Sequence, residues 1–260
     1  MRRLLFLPLV LAASPAWADR DYCSDRPGFS TPACTIEPGR VSAEVAAADW
    51  TRDRDGHVQE DDVLVGDIVL RAGLGPSTEA AIGWTAFGNH RERDAAMIDA
   101  GDGTGDVTLG LKQNLVSPDG SGTSLAIAGE VSLPVGGDAI GAGDWGARVL
   151  VPLGFELSDV ISLALTPEIG AAPDEDRHGR HLRYGTAAGV AAQITETTSV
   201  QTEILWLRDD DPADRHSEAQ AGLFLAQMLS EDWQVDAGGA VGLNRDAPDL
   251  NLSFGVSHLF

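Results

Sequence analysis

The sequence predicts an all-β protein, an antiparallel transmembrane β-barrel of about twelve strands that follows an N-terminal signal peptide. Three observations carry this prediction. Apolar and polar residues alternate up to a terminal Phe260, similar alternation recurs at regular spacing along the chain, and the connections between these segments are alternately short and long.

The last segment, residues 250–260, shows the alternation clearly. Leu252, Phe254 and Val256 share one face, and the residues between them are Ser and Gly. The bilayer core contains no water, so a spanning sheet closes on itself with apolar side chains outward and the alternate positions toward a lumen. A strand of a soluble secreted domain would show the same alternation. In an outer-membrane barrel, Phe260 would be the signal that the barrel assembly machinery binds.

The N-terminus has the three parts of a secretory signal. Arg2 and Arg3 precede an apolar stretch at 4–13, and residues 16–18 form the small-residue cleavage pattern Ala-Trp-Ala. We therefore expect a signal peptide over 1–18. No later apolar run approaches the roughly 18 residues that a membrane helix needs, which argues against an inner-membrane helical protein.

The strands of the predicted barrel follow one another without a linker, so residues 39–260 are expected to form one domain. They are predicted at 40–50, 63–74, 79–87, 105–115, 123–133, 145–157, 160–170, 183–194, 199–208, 217–229, 233–243 and 249–260.

The connections alternate in kind. Short turns of Gly, Pro, Ser and Asp, such as 75–78 and 158–159, are followed by longer charged loops, such as 51–62, 88–104 and 171–182. A barrel inserted from the periplasm has short turns on one side and long loops on the other, whereas a soluble sandwich has no reason to sort its loops. Trp and Tyr near the strand ends suggest two interfacial girdles.

The face opposite the apolar one is expected to line the lumen. It carries charges of both signs, which are costly in a dry core and natural beside water. The lumen candidates are Asp67, Arg71, Lys112, Glu130, Arg148, Glu168, Arg183, Glu203, Glu218 and Asp236. Acidic groups are in excess, so an open lumen would prefer cations or neutral solutes. Alternatively, these side chains pair with one another and fill the barrel.

Cys23 and Cys34 are the two cysteines of the chain. In an exported protein they are expected to form a disulfide, which would stabilise the short loop by roughly 3 kcal/mol. Residues 19–38 would then be either a stapled periplasmic extension or a plug inside the lumen, with Arg26 pairing lumen carboxylates.

Several stretches resemble a known family: residues 25–30, 38–40, 105–112, 132–136 and 244–249. Together they are similar to the outer-membrane transporter-like family named for the MetA-pathway of phenol degradation. The resemblance covers nearly the whole mature chain and implies an outer-membrane barrel that passes hydrophobic or aromatic compounds. The sequence departs from the family pattern at His258, where an aromatic residue is usual, and in its paired cysteines.

Catalytic and metal motifs are weak. His178 and His181, beside the acidic residues at 174–176, could ligate a transition metal, but a solvated loop is the favoured explanation. The acidic runs at 53–62 and 209–214 could hold Ca²⁺ or Mg²⁺ loosely, yet lack the spacing of a calcium loop. We predict no dedicated metal site and no cofactor.

An enzyme is not expected, because the chain contains neither a G-x-S-x-G elbow nor an H-E-x-x-H motif. His216 and Ser217 are neighbours in a strand and would point to opposite faces. A less favoured alternative is a barrel hydrolase built from Asp61, Asp62 and His57.

The formal net charge of −22 makes nucleic acid a poor partner. The expected partners are outer-membrane lipid and lipopolysaccharide, the barrel assembly machinery and a small-molecule solute. The predicted function is therefore passive, porin-like transport of small solutes across the outer membrane of a Gram-negative bacterium, and the family resemblance implies hydrophobic or aromatic ones. The alternative is a closed barrel that acts through its loops in structure or surface interaction.

Overall fold

The computed structural model describes residues 20–260, so the predicted signal peptide at 1–18 lies outside the described residues. Fourteen strand segments make up the fold: β1 (Val41–Asp55), β2 (Val58–Gly75), β3 (Thr78–Arg93), β4 (Ile98–Gly103), β5 (Val107–Val116), β6 (Thr123–Leu133), β7 (Gly146–Leu150), β8 (Leu153–Ser158), β9 (Ile161–Pro173), β10 (Arg180–Gln193), β11 (Thr198–Asp210), β12 (Arg215–Met228), β13 (Trp233–Gly242) and β14 (Leu250–Leu259).

The sheet closes on itself. Each segment pairs antiparallel with its neighbours, and β1 pairs with both β2 and β14, so no open edge remains along the ring. The fold is an all-β, closed barrel of twelve strand positions, and the predicted fold class is confirmed.

Two of the twelve positions are each built from two segments. On one, β7 and β8 both pair with β6 and with β9, and the chain between them contains Pro152, whose ring nitrogen cannot donate to a ladder. On the other, β4 and β5 both pair with β3, and the amide of Gly105 donates to the carbonyl of Thr85 across the interval between them. The predicted strand at 145–157 is therefore interrupted between β7 and β8. The predicted strand at 105–115 is extended at its start by β4, which occupies the same position in the ring.

The strands reach further on the long-loop side than the sequence predicts. Residues 51–62, predicted as a loop, are mostly the paired ends of β1 and β2 around a tight turn at Gly56 and His57. Most of 88–104 is likewise the paired ends of β3 and β4. Backbone pairing continues beyond the bilayer, where water allows charged side chains on both faces of the strands. These extensions therefore lack the apolar alternation by which the strands were predicted.

The outer surface is a band of exposed apolar side chains, including Ile82, Leu111, Ile169, Ile204 and Phe254. Trp84 also points outward, whereas Phe224 is buried in the lumen. In residues 20–260 there is no helix with the length and apolarity to span a bilayer. The exposed band is the surface that a barrel presents to lipid.

Aromatic rings gather at the ends of the strands. On the long-loop side, Tyr184 and Trp206 pack edge to face with ring centroids 5.9 Å apart. On the short-turn side, His258 stacks on Trp233 at 4.0 Å and meets the edge of Phe260 at 4.2 Å. The imidazole thus takes part in an aromatic cluster at the end of the last strand.

Candidate functional site

Residues 20–38, called here the N-terminal segment, lie inside the ring at its short-turn end. Hydrogen bonds and ion pairs join the segment to lumen-facing side chains of β1, β2, β3, β5, β9, β11, β13 and β14. Within residues 20–260, no hydrogen bond or ion pair of the segment reaches β6, β7, β8, β10 or β12, although the ring of Phe29 packs on Phe224 of β12.

Arg71 is the centre of the contacts on β2. Its side chain is fully buried and pairs with Glu44 at 2.8 Å, Glu79 at 2.8 Å and Asp25 at 3.1 Å. Its Nη1 also donates to the carbonyl oxygen of Cys23 at 2.7 Å. One guanidinium therefore fastens the N-terminal segment to three neighbouring strands, and its several donors suit this forked arrangement.

Lys112, on β5, holds the same part of the segment. Its Nζ lies 3.0 Å from Asp25 and 3.1 Å from Glu79. The ammonium also donates to the carbonyl oxygen of Pro32 at 3.2 Å and to that of Cys34 at 3.4 Å. The two carboxylates balance the charge of the ammonium and the two carbonyls accept its hydrogen bonds, as a buried ammonium requires.

Arg26 joins the segment to β13, which β14 alone separates from β1. Its Nη2 lies 2.9 Å from Asp236 on β13, a carboxylate whose side chain is fully buried. Glu44 accepts hydrogen bonds from the backbone amides of Asp25 at 3.0 Å and of Arg26 at 3.2 Å. The pairing of Arg26 with a lumen carboxylate is the arrangement expected of a segment inside the barrel.

Glu203, on β11, receives the turn at residues 28–30. Its carboxylate accepts hydrogen bonds from the amide of Phe29 and from the amide and hydroxyl of Ser30. Gly28 has a φ of +118°, and a Cβ there would lie 2.6 Å from Glu203 Oε2, so only glycine suits this position. The ring of Phe29 packs edge to face on Phe224 at 5.4 Å.

The predicted disulfide is present between Cys23 and Cys34. It closes the part of the N-terminal segment that makes most of the contacts above. Outside the closed loop, the amide of Thr35 donates to the carbonyl of Pro118 at 3.0 Å, and the amide of Ile36 donates to Glu79 at 2.8 Å.

The other lumen candidates lie nearer the long-loop end and do not contact the segment. Arg148 bridges Glu130 at 2.7 Å and Glu168 at 3.1 Å. Arg183 lies 3.9 Å from an aspartate of β11, Asp67 accepts a hydrogen bond from Thr85, and Glu218 pairs with His216. The ten candidates thus divide into a lower group around the segment (Arg71, Lys112, Glu203, Asp236) and an upper group (Asp67, Glu130, Arg148, Glu168, Arg183, Glu218).

On β8, β9 and β10, part of the wall has small side chains that make no hydrogen bond or ion pair with the segment. Gly154, Ser162, Ala164, Gly189 and Ala191, called here the small-residue wall, face the segment across a cavity of about 240 Å³. We call this space the lower cavity.

Two more cavities lie along the same wall. The upper cavity, also about 240 Å³, is lined by Arg148 and Glu168 with glycine, alanine and proline residues. A smaller space of about 160 Å³ at the short-turn rim shares Ser162 and Ala191 with the lower cavity. Between the upper and lower cavities stands Thr166, whose hydroxyl accepts from the amide of Thr31 at 3.1 Å and donates to its carbonyl at 3.1 Å.

Sequence reasoning missed three residues of this site: Glu79, Asp25 and Thr166. Glu79 is the second residue of β3 and its period-two position matches the lumen face, so the alternation could have identified it. Thr166 lies two positions before Glu168 on β9, so the same alternation could have identified it, whereas Asp25 carries no such signal. The importance of both residues comes from contacts between the N-terminal segment and distant strands, which no local pattern encodes.

A model of the family described as "Putative MetA-pathway of phenol degradation" matches residues 24–260. The chain belongs to this family. The match starts inside the N-terminal segment and runs through β14, so the family's sequence pattern includes most of the segment as well as the barrel. The resemblance noted in the sequence is confirmed. No curated protein matches this family member.

Solved structures similar to this chain are outer-membrane barrels. The crystal structure of an outer membrane channel from Pseudomonas putida F1 has a TM-score of 0.72 and 14% identity, covering 90% of this chain and 99% of that chain. The NanC porin has a TM-score of 0.52 and 10% identity, covering 82% and 99%. The translocator domain of the autotransporter NalP from Neisseria meningitidis has a TM-score of 0.52 and 14% identity, covering 86% and 90%.

At these identities the similarity concerns the fold. The closed barrel, its exposed apolar band and the fold of its neighbours together assign the chain to the bacterial outer membrane, as the sequence predicts.

Proposed function

We propose that this chain is a passive outer-membrane channel for small solutes, and that the N-terminal segment narrows the lumen without sealing it. The observation that carries the proposal is the row of three cavities along the small-residue wall, from the short-turn rim to the long-loop half. Solutes would diffuse along this row down their concentration gradient. The narrow point is the pair of hydrogen bonds between Thr31 and Thr166.

The size of the cavities suits a monocyclic aromatic compound. A protein cavity of about 150 Å³ is known to bind benzene, and the upper and lower cavities are each about 240 Å³. In the upper cavity, Arg148 is held by Glu130 and Glu168 while 48% of its side chain stays exposed. A guanidinium fixed in this way can stack on an aromatic face. The phenol-degradation description of the family supports the same solute class.

We further propose that the chain is not an enzyme. His216 pairs with Glu218 at 3.2 Å, but the hydroxyl of Ser217 contacts Arg208 at 3.3 Å on the other face. Asp61 binds Arg52, and Asp62 binds His90. Neither set brings a nucleophile, a base and an orienting group together, as covalent catalysis requires.

A bulky side chain on the small-residue wall tests the route. We expect Ala164→Trp to reduce the single-channel conductance of the refolded protein strongly, because the indole would fill the lower cavity. The matched control is Ala188→Trp, since Ala188 is exposed and pairs with Leu165 on the lipid-facing side. Equal conductance in the two variants would place the route elsewhere.

The solute class is tested on the same channels by adding phenol or glycerol to one side. Phenol is expected to interrupt the ion current in the wild type, and glycerol is not. If both solutes leave the current unchanged, the aromatic preference is wrong although the channel remains. A silent bilayer from folded wild-type protein would instead favour a closed barrel that acts through its loops.

A further inference from the structure

A cluster of one histidine and three aspartates lies at the long-loop end of β9, β10 and β11. His181 is the second residue of β10, and Asp209 lies near the end of β11. Asp174 follows β9 in the loop that leads to His181, and Asp211 follows β11. Because the three strands are neighbours in the ring, residues far apart in sequence meet at one point of the rim.

The distances within the cluster are short. His181 Nδ1 lies 2.9 Å from Asp174 Oδ1 and 3.3 Å from Asp211 Oδ2. On the other side of the ring, His181 Nε2 lies 2.6 Å from Asp209 Oδ1. The imidazole is therefore surrounded by carboxylates on both of its nitrogens.

Burial makes this cluster unusual among the acidic loops. The His181 side chain is only 5% exposed, and the side chains of Asp174, Asp209 and Asp211 are 16% exposed or less. Nε2 of His181 is buried and lies close to Asp209. Despite this short distance, the Nε2 nitrogen of the central imidazole has no well-aligned acceptor among the residues that the structure describes.

The charges of the cluster do not balance. Among residues 20–260, the one arginine or lysine with a nitrogen within 4.0 Å of these carboxylates is Arg183, at 3.9 Å from Asp209. The backbone amides of Ala213 and Glu175 donate hydrogen bonds to the carboxylate of Asp211 at 2.6 Å and 2.8 Å. Even with a protonated His181, three carboxylates would exceed two positive charges.

We propose that Asp174, His181 and Asp211 bind a divalent transition-metal ion, with zinc the closest match. Zinc is bound by imidazole nitrogen and carboxylate oxygen at about 2.0–2.2 Å, so neighbouring ligand atoms of a tetrahedral site lie about 3.3 Å apart. The ligand atoms of these three residues all lie within 4.8 Å of one another, and the two distances from Nδ1, 2.9 Å and 3.3 Å, are close to that edge length. Water would take the fourth position.

Asp209 would be a positioning residue. An imidazole that binds metal through one nitrogen commonly donates its other N–H to a carboxylate, which fixes the orientation of the ring. Asp209 stands at that place. Calcium and magnesium fit less well, because they prefer six or more oxygen ligands and the central ligand here is a nitrogen.

Metal binding would fasten two loops at the mouth of the barrel. Asp174 belongs to the connection between β9 and β10, and Asp211 to the connection between β11 and β12. Arg183, which lines the upper cavity, lies beside Asp209. The ion would therefore hold the loops that border the long-loop opening of this cavity. The metal site does not depend on the proposed transport function.

The test is calorimetric titration of Zn²⁺ into the full mature protein, refolded in detergent, with excess Mg²⁺ to occupy loose carboxylate sites. All variants carry His90→Asn, because Glu60, Asp62 and His90 form a second, more exposed cluster. We expect one saturable site that His181→Asn weakens by at least about 100-fold, and that Asp209→Asn weakens by about 10-fold to 100-fold.

The matched control is His178→Asn, on the same loop, exposed and outside the cluster. It should bind Zn²⁺ as the His90→Asn parent does. Folding of each variant is checked by the heat-dependent gel mobility of the barrel, and Asp209→Asn serves as the test if His181→Asn does not fold. The proposal is overturned if the parent has no saturable site, or if His181→Asn and Asp209→Asn both bind with the parent's affinity.

Discussion

Arg71 shows how a single side chain can join two parts of this molecule. Its position in the sequence predicts a residue of the lumen, because it lies on the polar face of an alternating strand. Its partners could not be predicted in the same way. Asp25 and the carbonyl of Cys23 come from the N-terminal segment, and the choice among several lumen carboxylates depends on the register between strands.

Removing Arg71 should destabilise the folded barrel. In Arg71→Met, Glu44 and Glu79 would remain buried without their guanidinium, and loss of one partner of a buried pair costs about 3–5 kcal/mol. Arg148→Met is the matched control, because Arg148 also bridges two glutamates but is 48% exposed, and such pairs contribute about 1 kcal/mol or less. Urea unfolding of the two variants in lipid vesicles measures the difference. Equal losses would contradict the role given to burial.

The strands of the barrel were predictable from the sequence, whereas their ends were not. Alternation identified all twelve ring positions because lipid on one side and polar groups on the other impose a period of two. Beyond the bilayer that constraint ends, so the paired extensions of β1 to β4 had the composition of loops. The break before β8 follows from Pro152, which a count of alternating residues overlooks.

The N-terminal segment was the element least determined by local sequence. Its cysteines predicted a disulfide, which the structure contains, but left a periplasmic extension and a plug as alternatives. The contacts that place residues 20–38 inside the barrel join them to residues up to 233 positions away. Arg26 and Asp236 are complementary in charge, yet many other pairs in this acidic chain are as well.

Loss of the disulfide should loosen the segment without unfolding the barrel. A loop as short as that between Cys23 and Cys34 is stabilised by roughly 3 kcal/mol in the chain-entropy model. In the double variant Cys23→Ser, Cys34→Ser, we expect faster hydrogen exchange at the amides of Phe29 and Ile36, which donate to lumen glutamates. Amides of β11 should keep their protection. Unchanged exchange at Phe29 and Ile36 would show that the lumen contacts alone hold the segment.

The whole molecule combines a wall specified by alternation with an interior specified by long-range pairing. The sequence predicted the outer surface, the compartment and the family, because each depends on composition or on local motifs. It predicted a polar lumen but could not say how far the lumen is filled. The answer depends on where the segment leaves space beside the wall, and the Gly, Ser and Ala residues of the small-residue wall gave no signal of this in the sequence.

If the N-terminal segment narrows an otherwise wider lumen, its removal should widen the channel, and single-channel recording measures this change. Conductance and reversal potential under a salt gradient are compared between the mature protein and a folded variant lacking residues 20–38. We expect a severalfold larger conductance and a stronger cation preference in the shortened variant. Four carboxylates would then face open water, and Arg71 and Lys112 alone would balance them in this part of the lumen. The carboxylates are those of Glu44, Glu79, Glu203 and Asp236. An unchanged conductance in the shortened barrel would contradict this role of the segment.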